Sequence, residues 1–577
     1  MRPLDSRKCR QPKKNSKKSV SDSFQKSAER CAIGVKLSGR FSRFCHEEMI
    51  YLSIFVLLPI SSWAWLPHLP LTGSVIPIPQ KIVYHHENRT VTPGNIRIDL
   101  GDLKDSDILK FAKETYETRW FFPHSPNQKK ELSKATDDAD TLVLKVTVKE
   151  LKLDEKLYPQ QGMNENYTLT VYEDSGPAFL EAATVWGALR GLETFSQLIF
   201  LHDGKYYIRS AHIKDWPEYP YRGLLIDSGR HFIPKNVIKR QIDLLSQNKF
   251  NVLHWHVSDS ESFPYVSKKF PEIAKQGAYD KKYTYSPEDV QEIVEHARLR
   301  GIRVLAEFDT PGHMASWRGI QGLMTNCSKE EPNVLDPSKE STFQFLEQFF
   351  TEIKETFPES WIHLGGDEIH MFSQCWENSP NVVKFMESKG WAKNVTALVN
   401  YYFDRFQGII EKVYGTKNGD NILMWEEVFQ NNNPRPNSVA HVWLNRNLVA
   451  QTTAKGHRTI VSQGWYLDHI HGGEDWHDLY SNDPRGFTGS EKQKSLVIGG
   501  EACMWGEFID ATNLETTVWP RATAVAERLW SNPSMKAAEA QARMHEQRCR
   551  SLGRGFFVRP AHGPDFCPFN VDFPYPA

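Results

Sequence analysis

The stretch Trp-Ile-His-Leu-Gly-Gly-Asp-Glu at residues 361–368 joins a short apolar run to two adjacent carboxylates through a glycine pair. The run 361–364 is typical of a buried strand, and the glycines let the backbone bend where that strand ends. Neighbouring acids repel each other when both are ionised, so one stays charged while the other keeps its proton to higher pH, which suits acid catalysis. The structural alternative is a solvated Asp-Glu pair that opens a helix.

Apolar runs of the same kind recur between residues 216 and 577 and alternate with amphipathic patterns at 234–248, 287–300 and 341–356. Such alternation favours a parallel sheet that is covered by helices. Eight strands are predicted, at 222–227, 251–256, 303–308, 361–364, 422–425, 439–443, 459–462 and 496–499. Eight strands with intervening helices predict a (β/α)8 TIM barrel, so the expected fold class is α/β.

The preceding part of the chain has a different pattern. Alternating apolar residues predict strands at 141–148 and 167–172, and apolar residues at helical spacing predict a helix at 182–201. We therefore expect a small α+β domain over residues 65–215, followed by a barrel domain over residues 216–577.

The N-terminus is separate from this fold. Residues 1–48 hold thirteen Lys/Arg against five Asp/Glu and are expected to be a disordered basic leader, with Met49 as an alternative translation start. Residues 49–64 predict a signal peptide that is cleaved near Trp65, or a signal anchor if the leader is translated. Only an uncleaved anchor over 49–66 would attach the chain to a membrane. Sequons predict N-glycosylation at Asn88, Asn166, Asn326 and Asn394, in agreement with the secretory pathway.

The chain of 577 residues is 40% hydrophobic and has a formal charge of −1, which indicates a large globular core. No basic patch points to nucleic acid. Cysteine usage fits an oxidising compartment. Cys549 and Cys567 could fasten the C-terminal tail, and Cys327 and Cys375 could join two loops beside the acidic pair. Cys503 lies in an apolar run and is expected to be an inert thiol.

If the strands close a barrel, the groups that follow their carboxyl ends should meet at one rim. Acids, an arginine, a histidine and aromatic side chains follow nearly every predicted strand. They are Asp227, Arg230, Asp259, Asp309, His313, Asp367, Glu368, Trp425, Glu426, Glu427, Trp443, Tyr466, Asp468, Trp505 and Glu507. Aromatic faces beside acids are typical of a carbohydrate pocket. Glu426 and Glu427 are expected to be solvated or structural.

Two histidines leave a further alternative open. His254 and His256 lie at i and i+2 of one strand and so face the same side, as the His-x-His ligands of barrel metallohydrolases do. No second pair of histidine ligands is obvious on the later strands, and we expect no metal and no cofactor.

Several segments together resemble the β-N-acetylhexosaminidases of glycoside hydrolase family 20, close to the lysosomal hexosaminidase subunits of animals. The segments are RGLLID at 222–227, NVLHWH at 251–256, RVLAEFDTPGH at 303–313, HLGGDE at 363–368, GGEACMWGE at 499–507 and AERLW at 526–530. The resemblance extends from about Trp65 to the C-terminus. It implies a retaining exo-glycosidase that removes terminal N-acetyl-β-glucosamine or N-acetyl-β-galactosamine, with the substrate's 2-acetamido group as nucleophile.

The resemblance also implies roles for individual residues. Glu368 would be the general acid and base, Asp367 would orient the acetamido N–H, and Tyr466 would donate to the acetamido oxygen. The residues implied in sugar binding are Arg230, Trp425, Trp443, Asp468, Trp505 and Glu507. Asp259 and His313 match a supporting relay beside the acid.

The chain departs from the family in two places. No cysteine lies between Cys45 and Cys327, so the N-terminal disulfide of the lysosomal members is absent. The substrate-selecting pair is Asp468-His469, and a carboxylate there predicts a preference for neutral sugars. The resemblance implies a lysosomal or secreted protein and a homodimer. A catalytically silent glycan-binding protein and a metal-dependent hydrolase are the alternatives from other classes.

Overall fold

The structure is a computed structural model and describes residues 69–123, 141–150, 156–327, 333–431 and 433–568. The predicted leader and signal segment lie outside the described residues. Among the helices that are described, none is both long and apolar enough to cross a membrane.

Residues 81–215 form a mixed sheet of seven strands. The strands are β1 Lys81–Val91, β2 Ile96–Asp99, β3 Leu142–Val148, β4 Tyr167–Val171, β5 Ala178–Ala182, β6 Ile199–His202 and β7 Lys205–Asp215. Their order is β1-β7-β4-β5-β3-β2, and β6 pairs with β7. The helices Asp107–Thr115 and Val185–Gln197 share one apolar core with this sheet. The small α+β domain is therefore confirmed as a fold, although the predicted boundaries of the domains stay a prediction.

The helix predicted at 182–201 is shorter in the structure. Thr184 caps its start by accepting from the Gly187 amide, and the helix ends at Gln197. Ala182 closes β5, while Ile199–His202 pairs with β7 instead of continuing the helix. Sheet pairing therefore overrides the local apolar spacing at both ends.

Eight parallel strands close into a barrel, which confirms the TIM-barrel prediction. They are β8 Tyr221–Asp227, β9 Val252–Ser258, β10 Arg303–Phe308, β11 Ile362–His363, β12 Ile422–Trp425, β13 Val439–Val442, β14 Thr459–Val461 and β15 Val497–Met504. β15 pairs with β8 in parallel register and completes the ring.

Helices connect the barrel strands and follow the last of them. They are Lys235–Gln247, Glu272–Gly277, Pro287–Arg298, Glu340–Thr356, Ile369–Asn378, Pro380–Ser388, Val395–Tyr414, Glu426–Asn431, Asn447–Ala454, Trp476–Ser481, Glu491–Ser495, Leu514–Val518, Arg521–Trp530 and Ala537–Gly553. The three helices predicted before the fourth strand are all present, with ends within two residues of the prediction.

The barrel interior is layered along its axis. An apolar layer near the strand starts includes Tyr221, Leu305 and Trp361. A layer near the strand ends includes Leu225, Trp425 and Trp505. Buried histidines and glutamates lie between the two, as described below.

Two disulfides form as the sequence predicted, Cys327–Cys375 and Cys549–Cys567. The first joins the loop after β10 to the helix that follows the acidic pair, and the second fastens the C-terminal tail. Cys503 is a free, buried thiol, and burial raises its pKa well above the usual value. A thiol that stays protonated is a poor nucleophile, which supports its assignment as inert.

Candidate active site

The two adjacent carboxylates lie just past the carboxyl end of β11, where the chain turns through Gly365 and Gly366. The φ angles of these glycines are +69° and +95°, and a Cβ on Gly365 would overlap Asp309 Oδ1. The Gly366 amide donates to the same oxygen at 2.8 Å. Glycine is required here because it alone combines a left-handed backbone with so close an approach. The turn presents Asp367 and Glu368 at the carboxyl-end rim of the barrel.

One imidazole lies beside both carboxylates. His313 Nε2 is 3.7 Å from Asp367 Oδ2 and 3.5 Å from Glu368 Oε2. His313 and Glu368 both have positive φ, +56° and +52°, a conformation that is costly for side chains with a Cβ and is concentrated at functional sites. Glu368 does precede the helix Ile369–Asn378, but its side chain makes no capping hydrogen bond. Glu368 therefore lies at the start of a helix, as the structural alternative expects, but its side chain does not cap that helix.

A chain of contacts runs from His313 into the barrel. His313 Nδ1 lies 3.2 Å from Asp259 Oδ1, and Asp259 Oδ2 lies 2.9 Å from His256 Nε2. Burial alone would lower the pKa of His313, but Asp259 and Asp367 raise it well above the usual value. Burial alone would raise the pKa of Asp259, but His313 and Arg230 hold it well below the usual range. The pair is thus an imidazolium bound to a carboxylate.

His313 also influences the acidity of Glu368. Its imidazole, 3.5 Å from Glu368 Oε2, lowers the pKa of Glu368 below the usual value, and partial burial opposes this to a smaller degree. The Glu368 side chain is 31% exposed. A sugar that covers it would displace water and raise its pKa, because desolvation disfavours the charged form. Protonation of Glu368 is therefore favoured both by acidic pH and by a ligand that closes the site.

Four aromatic side chains form a wall at the same rim. Trp443 stacks on Tyr466 with ring centroids 5.9 Å apart, and Trp505 lies 5.9 Å from Trp425 and 6.4 Å from Tyr466. Burial raises the pKa of Tyr466 well above the usual value, so this phenol keeps its proton and can donate a hydrogen bond. The wall offers apolar faces of the kind that bind the C–H face of a pyranose.

Arg230 is held by carboxylates beside the aromatic wall. Its guanidinium contacts Asp227 and Asp259, each at 3.0 Å, and lies 3.7 Å from Glu507 Oε1. It also lies over the Trp505 ring, 5.0 Å from the centroid. Because the Glu507 side chain is half exposed while Arg230 is mostly covered, the two present a fixed donor fork and an accessible acceptor.

Asp468 is the third polar group at this edge. Its Oδ1 has no hydrogen-bond partner among the described residues, and its Oδ2 lies 3.4 Å from His469 Nε2. Burial raises the pKa of Asp468 above the usual value. A buried acceptor without a partner is costly, and such groups are typical of positions that meet a ligand.

Sequence reasoning assigned no role to Glu307, which lies at the floor of the site. It is fully buried and accepts from Trp425 Nε1 at 2.7 Å, and it contacts His256 Nδ1 at 2.6 Å and His363 Nδ1 at 3.0 Å. Burial alone would raise its pKa, but the two histidines lower it well below the usual value. The available signal was a single acid inside an otherwise apolar predicted strand.

Glu501 is the second floor carboxylate. It accepts from Tyr221 at 2.6 Å and contacts His254 Nδ1 at 2.7 Å, and all three side chains are fully buried. Burial lowers the pKa of nearby His441 to about 3, so that imidazole is neutral. His256 contacts a carboxylate with each ring nitrogen, Glu307 through Nδ1 and Asp259 through Nε2, and His254 Nδ1 contacts Glu501, so both histidines of the His-x-His pair have structural contacts.

Glu427 was expected to be solvated or structural, and the structure excludes the first alternative. Its Oε2 accepts from Trp443 Nε1 at 3.2 Å, and its Oε1 lies 3.4 Å from the Glu368 amide. Burial, with Asp367 nearby, raises its pKa to about 8. Glu426 is fully buried and accepts from three consecutive amides beginning at Trp443, so its role is structural.

All the residues that the sequence predicted for the site lie at this one rim. They are Arg230, Asp259, His313, Asp367, Glu368, Trp425, Trp443, Tyr466, Asp468, Trp505 and Glu507. The individual roles implied for them stay predictions. The asparagines of the four sequons, Asn88, Asn166, Asn326 and Asn394, are all exposed, as glycosylation requires.

Two family models match the chain. "Glycosyl hydrolase family 20, catalytic domain" matches residues 219–533, and "beta-acetyl hexosaminidase like" matches residues 75–198. The first match covers the barrel with its rim, and the second covers most of the small domain.

The chain is similar to proteins named β-hexosaminidase and to the structure of a chitobiase. "Beta-hexosaminidase A" of Caenorhabditis briggsae is 44% identical over 557 residues, which is 91% of this chain and 98% of the relative. "Beta-hexosaminidase subunit beta" of Homo sapiens is 42% identical over 70% of this chain and 73% of the relative. The Flavobacterium johnsoniae chitobiase structure has a TM-score of 0.68 at 26% identity, over 83% of this chain and 72% of the other.

Proposed function

The chain belongs to glycosyl hydrolase family 20 and is a β-hexosaminidase that hydrolyses N-acetylhexosamine, and from this premise we propose that it is a retaining exo-glycosidase with a substrate-assisted mechanism. It would remove terminal, non-reducing N-acetyl-β-D-glucosamine or N-acetyl-β-D-galactosamine from glycoconjugates. The relatives named β-hexosaminidase and the arrangement of the rim support this proposal.

One observation carries the mechanism: oxygens of Asp367 and Glu368 both lie within 4 Å of a single atom, His313 Nε2. In most glycosidases a pair of carboxylates flanks the glycosidic bond, but family 20 is an exception that uses the substrate as nucleophile. The shared imidazole supports a role for Asp367 beside the acid, on the substrate's 2-acetamido group, as the family resemblance implies. The nucleophile is then best supplied by the sugar's own 2-acetamido oxygen.

In the first step the acetamido oxygen attacks C1, and the bond between C1 and the leaving oxygen breaks. Glu368 gives its proton to that oxygen, so the aglycone leaves as an alcohol. In the second step a water attacks C1 of the oxazolinium ion, and Glu368 takes a proton from this water. The acetamide is regenerated, and two displacements at C1 retain the β configuration.

Asp367 and Tyr466 would act on the acetamido group. An ionised Asp367 accepts from the N–H and stabilises the positive charge that develops on the ring. Asp367 Oδ1 has no hydrogen-bond partner among the described residues and so offers the acceptor that this role needs. The protonated Tyr466 donates to the acetamido oxygen and orients it towards C1.

The remaining rim residues would bind the sugar ring. Trp425, Trp443 and Trp505 supply apolar faces, while Arg230 and Glu507 address hydroxyl groups. Asp468 adds a carboxylate at the outer edge. The negative charge of this carboxylate would repel the sulfate group of a sulfated sugar, so we include a preference for neutral terminal sugars in the proposal.

The decisive experiment compares a chromogenic N-acetyl-β-glucosaminide with the matched β-glucoside, which lacks the acetamido group, at mildly acidic pH. We expect cleavage of the first alone. Equal cleavage of both would contradict the substrate-assisted mechanism. Cleavage of neither would favour a glycan-binding protein without activity.

A graded series makes the same test quantitative. Replacing the acetyl group by mono-, di- and trifluoroacetyl groups weakens the amide oxygen as a nucleophile without changing the leaving group. If that oxygen attacks C1, kcat/KM must fall steadily with fluorination. A flat series would require a nucleophile from the protein.

We also propose that the protein passes through the secretory pathway to a lysosomal or extracellular site. The two disulfides and the four exposed sequon asparagines support this. A homodimer is proposed from the family resemblance alone. Glycosidase digestion of the purified protein, followed by mass measurement, would test the sequons one by one.

A further inference from the structure

We propose that His545, His562 and Asp565 form a binding site for a divalent transition-metal ion, Zn²⁺ in particular, that ties the C-terminal segment to the helix Ala537–Gly553. The site lies outside the active site and does not depend on the proposed mechanism. One ligand comes from the helix and two come from the segment that follows it.

The three ligand atoms converge on one point. His545 Nε2 lies 3.7 Å and His562 Nε2 lies 3.5 Å from the same oxygen, Asp565 Oδ2, and all three atoms lie within 4.8 Å of one another. Hydrogen bonds from ring nitrogens to carboxylates are shorter, at roughly 2.7–3.2 Å. Ligands of a tetrahedral zinc ion at about 2.0–2.2 Å lie about 3.3–3.6 Å apart, which is close to the spacing here.

The burial of the three side chains also favours a metal site. The side chains of His545, His562 and Asp565 are only 2%, 10% and 7% exposed. His562 Nε2 is buried, faces Asp565 and has no hydrogen-bond partner among the described residues. A buried imidazole nitrogen that is aimed at a carboxylate but is not bonded to it suits a shared ion.

The surroundings orient the carboxylate as those of metal ligands commonly do. The Leu69 amide donates to Asp565 Oδ2 at 3.3 Å, and the Phe566 amide donates to Oδ1 at 2.7 Å. Such bonds fix the direction of a ligating carboxylate. Two imidazoles and one carboxylate, with water as the fourth ligand, are a donor set that zinc accepts.

The neighbouring sulfurs do not compete for the ion. Cys549 Sγ lies 3.5 Å from His545 Nε2, but Cys549 and Cys567 are joined in a disulfide and so offer no thiolate. The ion and the disulfide would therefore join the same helix to the same tail, a few residues apart. The metal adds a reversible cross-link beside a covalent one.

The test uses the full chain, stripped with a chelator and titrated with ZnCl₂ at neutral pH. Isothermal titration calorimetry and metal analysis should show one ion that is lost in H562A and in D565N. The Tm should rise with zinc in the unmodified chain and stay constant in both variants.

The matched control is H202A. His202 Nε2 also lies 3.4 Å from a carboxylate, Asp203 Oδ2, but both side chains are largely exposed. This variant should bind zinc as the unmodified chain does. The proposal is overturned if the stripped chain binds no zinc, or if H562A and D565N, shown by circular dichroism to be folded, keep the same zinc stoichiometry and affinity.

Discussion

The floor and the rim of the barrel use carboxylates in opposite ways. At the floor, Glu307 and Glu501 are fully buried, and each is bonded to at least two neighbouring side chains. At the rim, Asp367 and Asp468 are partly exposed, and each has an oxygen without a hydrogen-bond partner among the described residues. The floor pair lies on β10 and β15, and the rim pair follows β11 and β14.

The difference separates carboxylates that stabilise the fold from carboxylates that are available to a ligand. A satisfied buried carboxylate has spent its hydrogen-bonding capacity on the fold, and its removal leaves charged partners without compensation. An acceptor without a partner costs stability until a ligand binds it, as expected at a site whose binding energy is used on the substrate. Floor substitutions should therefore change stability first, and rim substitutions should change rate first.

The largest effects are expected from D367N and E368Q at the rim. Each should lower kcat by roughly 10²–10⁴-fold, because a group that acts in the transition state is lost. E368Q should harm a disaccharide more than an aryl glycoside, since the better leaving group needs less protonation. Steady-state kinetics on both substrates measures this.

Stability provides the other half of that comparison. The free energy of unfolding of the two rim variants should stay within about 0.5 kcal/mol of the unmodified chain. For E368Q, an equal loss of kcat on the disaccharide and on the aryl glycoside would contradict the assignment of Glu368 as the general acid.

The floor substitution E307Q should give the next largest effect, on stability instead of chemistry. Removing the charge leaves His256, whose pKa is raised well above the usual value, as a buried imidazolium beside a neutral amide, at a cost of about 3–5 kcal/mol. The pKa of Glu307 is depressed, so its contribution is present above the usual carboxyl range and is lost only as pH falls below it. Urea unfolding at neutral pH measures the difference.

E261Q is the matched control for that experiment, since the Glu261 side chain is about half exposed. It should change stability by no more than about 0.5 kcal/mol. A floor variant as stable as this control would remove the distinction between floor and rim.

Glu427 lies between the floor and the rim, and the variant E427Q should change how stability depends on pH. Its pKa of about 8 means that the folded protein holds a proton there which the unfolded chain releases near pH 4–5. The unmodified chain therefore loses this stability as pH rises from 5 to 8, and the glutamine variant does not. Relative to the unmodified chain, the Tm of E427Q should rise over that range, by an amount equivalent to on the order of 3 kcal/mol. A constant difference would show that Glu427 is ionised throughout.

The smallest predicted effect is a shift in the pH profile of H313Q. His313 lowers the pKa of Glu368, so its removal should let that pKa rise. Because the acid step needs protonated Glu368, the basic limb of kcat/KM should move to higher pH. An unchanged limb, measured alongside a lower kcat, would mean that His313 only positions the acid.

Much of the barrel could be predicted because its strands are short apolar runs with polar groups after them. All eight strands were found, and the residues after their carboxyl ends meet at one rim because parallel strands end on the same side. The predicted helix at 182–201 is too long, since Ala182 pairs with Tyr167 and Ile199 with Ile208, and both partners lie outside the segment that shows the helical spacing.

The site was predicted less evenly. Asp367 and Glu368 stand out because they follow a strand through a glycine pair. Glu307 and Glu427 do not stand out in the sequence. An acid in or after a strand has the same sequence pattern whether its side chain is solvated, hydrogen-bonded or catalytic. Their roles follow from what surrounds them: imidazoles and an indole around Glu307, and an indole with a second carboxylate near Glu427.

The sequence by itself determined the order of strands and helices, the family, and which residues end at the rim, because these depend on local periodicity and on motifs read along the chain. Only the tertiary structure decided which carboxylates are satisfied, which carboxyl group lies beside His313 with a lowered pKa, and that two histidines and an aspartate meet at the C-terminal tail. The physical reason is that pKa and ligation depend on distances of a few ångströms and on burial, which only the folded chain brings about.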